Sequence, residues 1–243
     1  MSGRQHALRQ AGRLLALLAL SVLALQIAFL ARIALMLVLD PQSTTFQRSE
    51  AWRLLVDKQR IAWSQEWVAY DRISPHLKRA VIASEDAEFA GHGGIDWDAV
   101  EQAWERNQRR EQRAQQGRRP IRMVGGSTIS QQLAKNLLLS GERTLARKGQ
   151  EFVLTMMLET LLPKRRILEI YLNCVEWGEG VFGAQAAARH YFRVDAARLG
   201  PEQAARLAVM LPAPKRFERQ PASAYVVGRA GTILARMGAV ELP

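Results

Sequence analysis

Apolar side chains fill residues 14–31 with only Ser21 and Gln26 to interrupt them, and after Arg32 the apolar character resumes over 33–39. A run of that length crosses the hydrocarbon core of a bilayer and exceeds the apolar stretch of a signal peptide. Bulky Leu, Ile and Met continue where a cleavage site would need small residues, so the pattern favours a retained anchor at 14–39. A cleaved leader is the alternative. Residues 40–46 read as a short polar linker, and 40–72 as a membrane-proximal region with Trp52, Trp63, Trp67 and Tyr70. Such aromatics suit headgroup depth and suit a core equally well.

From residue 74 the periodicity is overwhelmingly helical. Ser74 as N-cap and Pro75 at the first helical position open a helix with Leu77 and Val81 on one stripe. Glu85 is the next step on that stripe, so its carboxyl should face the core or a cleft. Desolvation there raises a carboxyl pKa toward the range of a general base, although a helix-end acid capped by a neighbour fits the same pattern. Phe89 and His92 continue the face at four and seven residues, before Gly91, Gly93 and Gly94 break the helix.

Residues 125–136 (GGSTISQQLAKN) predict a second helix, with Thr128 as N-cap and Gln131 completing a capping box. Ile129, Leu133 and Leu137 form its buried stripe; Thr128, Gln132 and Lys135 form a polar stripe beside it. Its N-terminus is a candidate anion site, and a well-capped surface helix is the plainer reading. At 147–151 (RKGQE) a third helix begins and runs to 162, with Arg147, Lys148 and Glu151 on one face. It is apolar almost all round, which predicts burial, so these charges must be paired or line a cleft. Pro163 ends it, and Lys164, Arg165 and Arg166 lead into a core helix at 167–173 with Glu169 on its edge. Residues 122–124 and 177–182 look extended or turn-like. Residues 105–122 are nearly free of apolar side chains and read as a solvated helix tip followed by a mobile loop, or a flap near a charged substrate. No internal repeat is visible.

Charge and cysteine usage narrow the setting. The 243 residues carry a net charge of +11, with a sequence pI of about 10.6. Arg4, Arg9 and Arg13 precede the apolar run, and the positive-inside rule leaves residues 1–13 in the cytoplasm and the remainder outside. Export makes nucleic acid an unsuitable partner and leaves lipid phosphates as the counter-charge. The sole cysteine, Cys174, excludes an internal disulfide.

In this order and spacing, EDAEFAGHGG, GGSTISQQLAKN, RKGQE and KRRILEIYLN resemble the motifs of the peptidoglycan glycosyltransferases, the family that polymerises lipid II into glycan strands. The resemblance covers roughly 73–237 and includes NCVEWGEGVFGAQAAARHYF and the later RLAVMLPAPKRFERQP. The chain stops at Pro243 without a penicillin-binding transpeptidase domain, so it is similar to the monofunctional, biosynthetic form. The resemblance implies a mainly α fold, with a lysozyme-like glycosyltransferase domain at 73–243 and a smaller lobe against the membrane. It implies Glu85 as general base for the GlcNAc 4-hydroxyl and Glu151 as second catalytic glutamate, acting directly or through a divalent cation (Mg2+ or Mn2+). Lys135, Arg147 and Lys148 match the family's phosphate-binding residues. Asp86, Phe89, His92, Ser127, Thr128, Gln132 and Asn136 match its substrate-binding positions. The implied partners are lipid II, glycan linked to undecaprenyl pyrophosphate, membrane lipids and other cell-wall synthesis proteins. The implied location is the inner membrane, single-pass, with a periplasmic catalytic domain.

The chain departs from the family at Arg193-Val194, where Gly-Lys usually follows Tyr-Phe, and in the length of its basic 105–122 stretch. Two competing readings stay open. A lytic, lysozyme-like enzyme would need one catalytic acid and no cation cluster; an anchored scaffold that binds lipid II would need no carboxylate at position 85.

Overall fold

The computed structural model describes residues 2–115, 126–142 and 144–243. Among them the chain is mainly helical: α1 (Ser2–Leu35), α2 (Thr45–Lys58), α3 (Pro75–Glu85), α4 (Trp97–Gln115), α5 (Ile129–Leu138) and α6 (Leu145–Leu161) come first. Then follow α7 (Lys164–Cys174), α8 (Ala184–Phe192), α9 (Pro201–Met210), α10 (Pro214–Phe217) and α11 (Ala224–Met237). A small sheet joins β1 (Ser64–Gln65), β2 (Glu176–Gly178) and β3 (Val181–Phe182) in the order β1-β3-β2. β3 pairs parallel with β1 and antiparallel with β2, so the extended character expected at 177–182 is present.

Two helical groups share one core. In the first, α3 packs on α9 and α11; in the second, α5 packs on α6 and α7. Leu77, Val81, Ile129, Leu133, Leu137 and Leu158 are buried where their spacing placed them. Trp177 is fully buried on β2, and its indole N–H donates to Leu207 O at 3.1 Å, satisfying the one polar group of that ring. Cys174 is buried as well, and burial pushes its thiol up to about 12.

α1 is long and apolar enough to cross a membrane; its side chains over 6–25 are exposed, and its later part packs on α6. The helix begins at Ser2, so the basic N-terminal stretch continues the same rod. At its other end Ile33 and Met36 are buried against the domain. Arg166 of α7 closes that junction by donating to Met36 O at 2.8 Å, to Leu39 O at 3.1 Å and to Asp40 at 2.7 Å. The segment after the anchor is thus held rather than loose, and Thr44 at once caps α2 through a capping box. Of the aromatics there, Tyr70 is core, while Trp52 is 68% exposed.

Two expectations need correction, and a third falls outside the described residues. α3 does not continue to His92: it stops at Glu85, and Asp86 leaves the helix with φ −165°, because its carboxylate is drawn to partners elsewhere. α6 is not buried all round; Phe152 and Val153 are exposed, and the helix packs against the apolar α1, which accounts for its composition. The extended segment at 122–124, the second half of the basic stretch and Gly125 lie outside the described residues; the first half of that stretch is the C-terminal part of α4.

Candidate active site

Asp86 is the hinge of the site. Its Oδ2 accepts the Ile129 N–H at 2.9 Å, so the N-terminus of α5 receives an anion supplied by the protein itself. Its Oδ1 pairs with His92 Nε2 at 2.8 Å, while His92 Nδ1 accepts the Gly94 N–H at 3.1 Å, which places the imidazole proton on Nε2. Thr128 caps α5, forms the expected capping box with Gln131, and donates to Gly94 O at 2.6 Å. Gly94 has φ +94°, and a Cβ there would lie 2.7 Å from Glu159 of α6, so only glycine fits between the two segments. Phe89 is fully buried with Lys164 Nζ 4.5 Å above its ring. Asp86, Phe89 and Thr128 are buried, and the polar groups of Asp86 and Thr128 are taken up by protein partners.

This bracing presents Glu85 at the end of α3. Gln132 Nε2 donates to Glu85 Oε2 at 3.0 Å, and also reaches Ser127 O at 3.3 Å. Gln132 Oε1 in turn accepts the hydroxyl of Tyr171 at 3.0 Å. Tyr171 lies on the buried face of α7, and burial together with the charges of Glu85 and Asp86 raises its pKa well above the ordinary phenol value, so its hydroxyl keeps its proton and donates that hydrogen bond. Burial is also the largest influence on Glu85 and raises its pKa; hydrogen bonds from Gln132 and Ser84 oppose it, and Asp86 adds to it.

The third group sits on α6, which Thr144 caps. Glu151 is 3% exposed, and its carboxylate holds Arg147 Nη1 at 3.0 Å and Lys148 Nζ in a close pair. Arg147 Nε is buried and without a hydrogen-bond partner among the described residues, which leaves a guanidinium donor available to an anion. Gln132, Lys135, Asn136 and Arg147 line a common cavity of about 390 Å³. Its wall is completed by Phe46, Glu176, Leu211 and Pro214 among others. Lys148 and Ser127 are exposed beside these elements.

A divalent cation at Glu151 does not fit the donor set of this chain alone. Both carboxylate oxygens are engaged by cations, and no three His, Cys, Asp or Glu side chains converge among the described residues.

Sequence reasoning missed Tyr171, Glu176 and Phe46. Tyr171 had a usable signal, since a tyrosine on the apolar stripe of a core helix needs a partner for its hydroxyl. The other two arrive from segments remote in sequence.

A family model described as "Transglycosylase" matches residues 55–238. A biosynthetic peptidoglycan transglycosylase of Burkholderia lata is 55% identical over 221 residues, covering 91% of this chain and 86% of that one. The protein of the same name from Burkholderia thailandensis is 55% identical, with 91% and 83% covered. That from Burkholderia vietnamiensis is 54% identical, with 91% and 86% covered. With its mainly α, lysozyme-like domain and its braced pair of glutamates, the chain belongs to the transglycosylase family and is a peptidoglycan glycosyltransferase of cell-wall synthesis.

Proposed function

We propose that the glycan precursor used by this enzyme is lipid II, and that the reaction divides between the two glutamates. Glu85 takes the proton from the 4-hydroxyl of the acceptor N-acetylglucosamine. That oxygen bonds to the anomeric carbon at the reducing end of the growing chain. The bond from this carbon to undecaprenyl pyrophosphate breaks, and the electron pair leaves with the pyrophosphate. Cations, not a general acid, suit that leaving group, and in this reading Lys135, Arg147 and Lys148 hold its charge. Glu151 fixes Arg147 and Lys148 on one face of α6. Asn136, Ser127 and Gln132 border the sugar-binding part of the cleft, and His92 acts through Asp86.

The observation that carries this reading is Glu85 itself, a carboxyl of raised pKa held by Gln132, whose side chain lines a cavity together with Lys135 and Arg147. A binding scaffold has no use for a carboxyl in that state, and a lytic enzyme has none for the cations. The apolar α1 supports single-pass anchoring in the inner membrane, with residues 1–13 cytoplasmic and the domain on the outer side. Purified chain incubated with labelled lipid II should convert monomer to polymer and release undecaprenyl pyrophosphate. Retention of lipid II without any polymer would support the scaffold instead, and shortening of preformed glycan the lytic enzyme.

A further inference from the structure

Glu176 opens β2 and lines the same cavity as Gln132, Lys135 and Arg147. Its Oε1 is buried and has no hydrogen-bond partner among the described residues. Lys215 Nζ lies 3.6 Å from it, an ion pair longer than a hydrogen bond. That ammonium is committed to Glu50 Oε2, which also receives Arg53 Nε at 3.0 Å. The contrast with the other two buried acids of the site is sharp, for both oxygens of Asp86 and of Glu151 have donors. An acceptor buried without a donor burdens the fold, and such groups persist where a ligand supplies the missing partner.

The chemistry of the cavity says which ligand. A carboxylate repels pyrophosphate, so the phosphate-holding end is that of Lys135 and Arg147. A saccharide offers what Glu176 lacks: hydroxyl and acetamido N–H donors on a ring with apolar faces. Phe46, Leu211 and Pro214 supply apolar wall beside the carboxylate. We infer that Glu176 is a substrate-binding carboxylate, accepting a hydrogen bond from a hydroxyl or acetamido N–H of the sugar chain in this cavity. The inference rests on the cavity being the glycan cleft of the proposed reaction.

Its ionisation makes the idea testable. Burial pushes the Glu176 carboxyl up to about 7; Lys215 of α10 opposes this, while Glu50 of α2 and Glu218 add to it. The carboxylate therefore loses its charge as pH falls through neutrality, and with it the strength of its hydrogen bond.

The experiment compares full-length wild type, Glu176→Gln and Glu176→Ala in detergent with labelled lipid II. Expected is a KM about 10-fold higher for Ala and a smaller rise for Gln, with kcat within about twofold of wild type. The acid-side step of kcat/KM near 7 should vanish in Glu176→Gln, while the step belonging to Glu85 persists. A folded Glu176→Ala with unchanged KM overturns the inference, as does a fall in melting temperature with no change in KM. If the wild type binds lipid II but makes no polymer, the proposed reaction is what fails. Direct binding then decides: about 10-fold weaker retention by Glu176→Ala upholds the saccharide contact, and equal retention removes it.

Discussion

Glu85 sits between burial, which favours its neutral form, and the Gln132 amide, which favours its charge; burial is the larger. A base in that position works only when ionised, so activity should fall with pH through a midpoint above the ordinary carboxylate value. Stability runs the other way: a carboxyl with a raised folded pKa stabilises the fold below its unfolded pKa and loses that contribution as pH rises through the folded one. Glu85→Gln should therefore lower polymerisation by about two to four orders of magnitude, while its thermal transition at neutral pH stays equal or rises. Near-normal polymerisation by the folded variant would refute the mechanism. Tyr171→Phe tests the support behind Gln132. Loss of the 3.0 Å hydroxyl contact leaves Gln132 Oε1 without that donor and its amide free to turn, which should lower kcat roughly five-fold, the worth of about 1 kcal/mol. An unchanged kcat would show that Gln132 is held by other means. Glu85 was legible because Leu77, Val81 and Glu85 share one helical stripe. Tyr171 and Gln132 were not paired in advance, because their contact joins α7 to α5 across 39 residues and leaves no local period.

At the scale of elements, caps do much of the positioning. Ser74, Thr128 and Thr144 start α3, α5 and α6, the helices that carry Glu85, Gln132 and Glu151. The first two caps were read from sequence because the capping residue and its partner lie within one turn. The start of α5 was a candidate anion site in the sequence, and in the structure Asp86, from 43 residues away, accepts its first N–H. Cations remain on α6, where Lys148 is half exposed and faces the buried Glu151. Lys148→Ala should cost about 2–4 kcal/mol of transition-state stabilisation, with Lys148→Arg closer to wild type than Lys148→Gln. Equal rates for Ala and wild type in single-turnover assays would remove it from the pyrophosphate site. The departure at Arg193 also has a structural meaning. This residue ends α8 at φ +59°, a left-handed conformation that suits the glycine usual in the family. Arg193→Gly should raise stability by about 0.5–1 kcal/mol without altering the rate, as read by denaturant midpoint. A lower midpoint would mean that the exposed arginine side chain contributes more than the backbone strain costs.

For the whole molecule, the relation between anchor and catalytic helix decides where the chemistry happens. Gln26 of α1 and Gln150 of α6 exchange two amide hydrogen bonds, at 2.9 and 3.0 Å, beside the face that bears Lys148 and Glu151. Two amides that satisfy each other lower the cost of placing both against apolar surface. With Arg166 gripping the chain at Met36, Leu39 and Asp40, the anchor is fixed to the domain at two levels. With α1 in a bilayer, as proposed, these two contacts would hold the cleft at a fixed height above it, within reach of a lipid-linked substrate. The exposed Phe152 and Val153 extend the apolar face of α6 beside the anchor. In sequence the long apolar helix was plain from its length, whereas the isolated Gln26 gave no hint of a partner. A retained anchor predicts that full-length protein resists carbonate extraction. A reporter that is active only outside the cytoplasm, fused after Pro243, should be active, since Arg4, Arg9 and Arg13 hold the other end inside. A shortened, soluble product would identify residues 14–39 as a cleaved leader, and an inactive reporter on an intact, carbonate-resistant chain would reverse the orientation. Either result would separate the cleft from the lipid-linked donor that the proposed reaction needs.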